Sequence, residues 1–281
     1  MNTLPLDISK NEKRLLDQET VGLIEFVYNE AMSNIQNGCW RFTSSTSYEK
    51  ESEPIGYDTD SLERYFNNKS DYQVDPLENH ILSTKFPDNV SFISCFYIVT
   101  KNDLTQDGHL SNKFIQDIDR TEINKRGFIL VKHNYIGPFL KALNNCVARE
   151  NLTGVGYFYR YVNYRSLDDY CNLAIPIEKL LASNRDIDLS DIPLDLPECN
   201  TDNIYTQSVK MSVLNKPNFF EPQHEGRVGV SFAKPQTTKN HISQVTVPKK
   251  GSAYLQLNAP SATGFLEFYN NYEEIKEITF E

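Results

Sequence analysis

The chain has 281 residues, 39% of them hydrophobic and 12% aromatic, and its 28 basic and 38 acidic side chains give a formal charge of −10. That apolar content supports a real core and argues against disorder, while the acidic balance disfavours a broad nucleic-acid-binding surface, which needs clustered Lys and Arg. No run approaches the roughly 18 apolar residues of a membrane span, residues 1–14 carry no apolar leader core, and five scattered cysteines suit reduced thiols. The expectation is a soluble, cytoplasmic protein. Neither a CxxC pair nor an HxxxH arrangement occurs, so no local metal motif is expected.

In chain order, Val21, Leu23, Ile24, Phe26, Val27, Ala31, Met32 and Ile35 recur at helical spacing and Asn37-Gly38 supplies a C-cap, predicting a helix over 18–36. Residues 39–43 (CWRFT) read as a strand and 44–62 as a long polar loop. A short helix is expected at 62–66 and irregular chain at 72–89. The aromatic run 91–99 (SFISCFYIV) predicts a central strand covered on both faces. A turn over 102–108, a helix over 112–118, a strand over 127–133 and a helix over 135–149 with Phe139, Leu140, Leu143 and Val147 on one face follow. Residues 155–164 read as a half-exposed strand and 170–182 as helical chain interrupted at Pro176. The acidic stretch 183–203, with Pro193 and Pro197, reads as a surface excursion or lid. Late strands are expected at 209–214, 227–232, 242–247 and 253–257, with 265–269 closing the sheet. The sum is a single α+β domain over 1–281: a mixed, largely antiparallel sheet with an N-terminal helix packed on it.

Signatures of dinucleotide-binding folds, phosphate loops and serine-hydrolase elbows are all missing. The segment 219–227 (FFEPQHEGR) stands out. In extended chain, residues two apart face the same side, so Gln223, Glu225 and Arg227 would line one face, an amide and a carboxylate addressing one cleft with the guanidinium holding the carboxylate ionised. His224 would point the other way, as a surface histidine. The same letters also describe a plain Glu–Arg ion pair at a strand entry.

Gln223-x-Glu225 resembles the catalytic turn of ADP-ribosyltransferases of the arginine-serine-glutamate class. That resemblance implies Glu225 as the transition-state carboxylate, Gln223 as the acceptor-orienting group, and Arg41 with Ser45 of the Ser45-Thr46-Ser47 triplet as contacts to NAD. Unlike the family's pattern, Arg41 and the triplet lie only four residues apart. A broader succession, running from the Trp40-Arg41-Phe42 strand through Glu53, Gly56-Tyr57-Asp58 and the 94–97 strand to the late Gln-x-Glu-x-Arg, is similar to uncharacterised bacterial proteins of abortive-infection and phage-defence loci. This implies a macromolecular target or a neighbouring-gene partner, and places Glu53 and Asp58 in the same cleft. Two other classes stay open: a non-enzymatic interaction protein, and a metal-dependent nuclease-like hydrolase using Glu53, Asp58 and Glu225.

Overall fold

In the computed structural model the described residues are 19–44, 91–121, 126–149, 155–169, 215–232, 245–246 and 254–280, with Asp60 and Arg64. They form eleven strands: β1 (Thr20–Val27), β2 (Cys39–Ser44), β3 (Ser91–Thr100), β4 (Gly127–Lys132), β5 (Val155–Tyr161), β6 (Asn163–Arg165), β7 (Asn215–Pro217), β8 (Glu225–Phe232), β9 (Val245–Thr246), β10 (Tyr254–Asn258) and β11 (Glu267–Tyr269). The α-helices are α1 (Asn29–Gln36), α2 (Asn112–Thr121) and α3 (His133–Arg149), and short 3-10 segments span 218–223, 260–265 and 272–277. This is an α+β fold on an antiparallel sheet; β6 and β7 form a separate parallel pair.

The expected helix over 18–36 is confined to 29–36, because residues 20–27 form β1. A strand buried on both faces carries apolar residues at both parities, and such a run also satisfies helical spacing. Beyond the register shift at Thr20–Gly22, parity separates the faces of β1, with Leu23 and Val27 in one apolar layer and Ile24 and Phe26 in the other. The strands expected at 91–99, 127–133 and 253–257 are present, as is the closing strand, which pairs β11 with β4. Most of the expected 44–62 loop, residues 72–89, 170–182, 183–203 and 209–214 lie outside the described residues, as does the 62–66 helix apart from Arg64, which is helical.

β3 is the centre of the sheet. Along one edge it pairs without interruption with β8, from Ser91↔Ser231 to Tyr97↔Glu225, and β8 then pairs β5. The other edge is shared. β1 takes the stretch around Ile24↔Tyr97 to Thr20↔Thr100, and β2 takes Thr43↔Ile93 and Ser44↔Phe92. Since Ile93 and Tyr97 already have β8 on their first side, β1 and β2 must both occupy the second. The sheet therefore forks at Ser94–Phe96: β1 leads on to β4 and β11, and β2 to β10 and β9.

One face is covered by α3, whose Ile136, Phe139, Leu140 and Leu143 pack with Trp40, Phe42, Phe96, Val228 and Leu257. The other is covered around β1 and β4 by α2, through Phe114 and Ile118, and by the C-terminal Tyr272, Ile275, Ile278 and Phe280. Gly38 closes the turn from α1 into β2 at φ +82, a conformation that costs any residue bearing a Cβ. A Cβ there would also stand 2.6 Å from the Pro260 backbone, while the Gly38 carbonyl accepts the Ala259 N–H at 2.7 Å. Gly38→Ala is expected to lower stability by about 1–3 kcal/mol, read as a fall in the denaturation midpoint.

Candidate functional site

The segment 219–227 is not extended throughout. Residues 218–223 form a 3-10 turn containing Pro222, His224 adopts the left-handed conformation (φ 44, ψ 43), and β8 begins only at Glu225. Gln223 therefore does not join Glu225 by strand alternation, whereas Glu225 and Arg227 do share a face. The turn instead folds the chain back so that β7 delivers Lys216 to both polar groups. Lys216 Nζ donates to Gln223 Oε1 at 2.9 Å and lies 2.7 Å from Glu225 Oε2.

Arg227 Nε donates to Glu225 Oε1 at 2.6 Å and its second guanidinium nitrogen reaches Oε2 at 3.2 Å. Both carboxylate oxygens are thus engaged by cations. All three residues are buried, Arg227 at 1% exposure, Lys216 at 5% and Glu225 at 7%. The Cys95 thiol adds a further hydrogen bond to the carboxylate. Burial alone would raise the Glu225 carboxyl, but the Arg227 and Lys216 charges outweigh it and hold it well below the ordinary carboxylate range. The Glu225 N–H donates to the Tyr164 hydroxyl at 2.9 Å; burial, then the Glu225 charge, push that phenol well above its usual value.

His224 turns to α2 instead. Its Nε2 lies 3.1 Å from Asp117 Oδ2 and its ring packs against Phe114 at 4.9 Å between centroids. Its backbone is pinned on both sides, the N–H donating to Glu221 O and the carbonyl accepting the Ile98 N–H. That pinning holds a non-glycine residue in a conformation worth about 1 kcal/mol of strain.

Arg41 lies on β2, exposed, with its guanidinium 3.9 Å over the Tyr254 ring. Its neighbours Trp40 and Phe42 face α3, as Val228 and Val230 do, so Arg41, Glu225 and Arg227 occupy the same, opposite face of one sheet. With β3 between them, β2 and β8 are at least about 10 Å apart. Ser45, Glu53 and Asp58 lie outside the described residues. Among the described residues no group of three or more His, Cys, Asp or Glu side chains is placed to hold a metal ion, and no helix is long and apolar enough to cross a membrane.

Lys216, Tyr164 and Cys95 are members of this cluster that the sequence did not mark. A lysine is ordinarily exposed, and the sequence signal that could have found it is the turn chemistry of Asn218 to Pro222, which returns the chain beside β7. The fold and cluster define an α+β protein with a buried, doubly paired carboxylate at the start of a central strand. No protein-family model, curated protein or solved structure matches the chain.

Proposed function

We propose that the protein acts by binding a macromolecular partner, with Lys216, Glu225 and Arg227 serving as a brace that fixes the 218–224 turn rather than as reacting groups. The observation that supports this reading is the saturation of Glu225. A carboxylate that is to stabilise a developing positive charge on a substrate needs an oxygen directed at the substrate, and here both oxygens address buried cations. The cytoplasmic setting and the link to bacterial defence implied by the resemblance belong to this proposal.

ADP-ribosyl transfer is the second reading, favoured by the placement of Arg41 and Glu225 on one sheet face. One experiment separates the two. Wild type and Glu225→Gln are incubated with labelled NAD and cell extract, and NAD cleavage and label transfer are measured beside the thermal midpoint. The expected result is no turnover by either protein and a lower midpoint for the variant. Turnover by wild type that is lost in a Glu225→Gln protein shown to be folded would establish the transferase instead.

A further inference from the structure

Glu25 stands inside the fork of the sheet. Its neighbours Leu23 and Val27, and its cross-strand partner Ile129, belong to the layer under α3, so the Glu25 side chain enters that apolar layer. It lies one residue past Ile24↔Tyr97, the last pair before β1 leaves β3. One carboxyl oxygen accepts the Ser94 hydroxyl at 2.9 Å, from the part of β3 that faces the gap between β1 and β2. The other oxygen, Oε2, is sealed from solvent and has no hydrogen-bond partner among the described residues. The residue as a whole retains some exposure, although its carboxyl is enclosed.

An ionised carboxylate with one sealed, unsolvated oxygen is far more costly than a neutral acid in the same place. The groups sharing its face do little to offset that. Trp40 of β2, Phe139, Leu140 and Leu143 of α3, Met32 of α1 and Ile129 of β4 are apolar. Among the described residues the titratable members of the layer are Cys146 of α3, which donates to the Ala142 carbonyl, Tyr159 of β5, and the partly buried Tyr161 of β5, whose hydroxyl pairs with that of Thr20. Glu30 of α1 is exposed. The cation that acts on Glu25 is Arg126, just ahead of β4, whose guanidinium sits 4.5 Å over the exposed Tyr28 ring. In this place the neutral carboxyl costs little, while a charged one would gain by turning outward toward Arg126.

We propose that Glu25 is a proton-operated latch on the sheet: its neutral carboxyl seats the fork, and loss of the proton turns it outward and frees the end of β1, α1 and the start of β2. Burial raises this carboxyl from 4.5 to about 8, against the Ser94 hydrogen bond and then the Arg126 charge, which lower it. The folded state therefore holds the proton more tightly than the unfolded chain. The resulting stability is fully present below about pH 4.5 and is lost as pH rises to about 8.

The test measures denaturation midpoints and backbone hydrogen exchange across about pH 5 to about pH 9 for wild type, Glu25→Gln and Ser94→Ala. Wild type is expected to lose roughly ten- to a hundred-fold in its folding equilibrium constant between about pH 5 and about pH 8 and to level off above that, partial exposure of the residue trimming the full shift. Exchange should rise first at residues 25–27 and 39–42. Glu25→Gln should abolish the loss. Ser94→Ala removes the hydroxyl that holds the carboxyl in the fork, a contact the outward charged form does not make, and should move the loss to lower pH. An infrared band of a protonated carboxyl in neutral wild type, absent from Glu25→Gln, is also expected. Parallel pH profiles for wild type and Glu25→Gln would overturn the latch. If that variant does not fold, an unmoved profile in Ser94→Ala would overturn it in its place.

Discussion

Glu225→Ala is expected to destabilise the protein by about 3–5 kcal/mol, the cost of leaving buried charge without its partner. Arg227 and Lys216, at 1% and 5% exposure, would both lose the carboxylate they now share. Glu225→Gln should cost less, since the amide oxygen can still accept a hydrogen bond from one of the two cations. The dependence on pH has a definite sign. Because the Glu225 carboxyl is held below its unfolded value, its contribution is fully present above the ordinary carboxylate pKa and is lost as pH falls through the acid limb. Urea denaturation of the three proteins at neutral and acid pH measures both effects. Equal midpoints for wild type and Glu225→Ala at neutral pH would show that the brace carries no stability. The double variant Lys216→Met, Glu225→Met should recover part of the loss, because replacing a buried pair with apolar side chains avoids the desolvation that breaking it exposes.

Trp40→Ala should have a comparable cost, about 3–5 kcal/mol. Trp40 sits on the stretch of β2 that has left β3, at 2% exposure, stacked 6.2 Å from Phe96 and edge-on to Phe139 at 5.2 Å. Deletion leaves a void where neither branch can close without losing its own pairing to β4 or β10. Trp40→Phe keeps the ring stacking and should cost appreciably less. The check is the guanidinium midpoint of each variant, and a loss under about 1 kcal/mol for Trp40→Ala would mean that the fork collapses readily.

The parts of this structure legible in the sequence are those where local pattern and tertiary environment agree. β3 declares itself through an unbroken apolar and aromatic run, and the face of α3 through Phe139, Leu140 and Leu143, all three buried. β1 does not, because burial on both faces erases the alternation that marks a strand and leaves a pattern that a helix fits equally well. The ion pair of Glu225 and Arg227 followed from strand alternation, which holds from residue 225 onward. Its extension to Gln223 did not, since Pro222 and the left-handed His224 break the extended chain. Lys216 needed the third dimension: seven residues from Gln223, it reaches the cluster only through the intervening turn. Glu25 reads in the sequence as one polar residue on an apolar element, and its sealed oxygen depends on a fork no local pattern describes.

The arrangement around β3 also sets the order in which the chain can be assembled. Its partners β1, β2 and β8 are distant in sequence, and β8, which pairs its first edge from Ser91 to Tyr97, ends 132 residues after β3 does, at Phe232 against Thr100. At translation rates of ~5–20 residues per second, β3 waits roughly 7–26 s for that partner. Through that interval a ten-residue, aromatic-rich strand presents an open edge, the feature most prone to pair with another chain. High contact order slows the later search as well. Overexpression yield should therefore respond to temperature and to holdase chaperones more strongly than the stability of the finished fold would suggest.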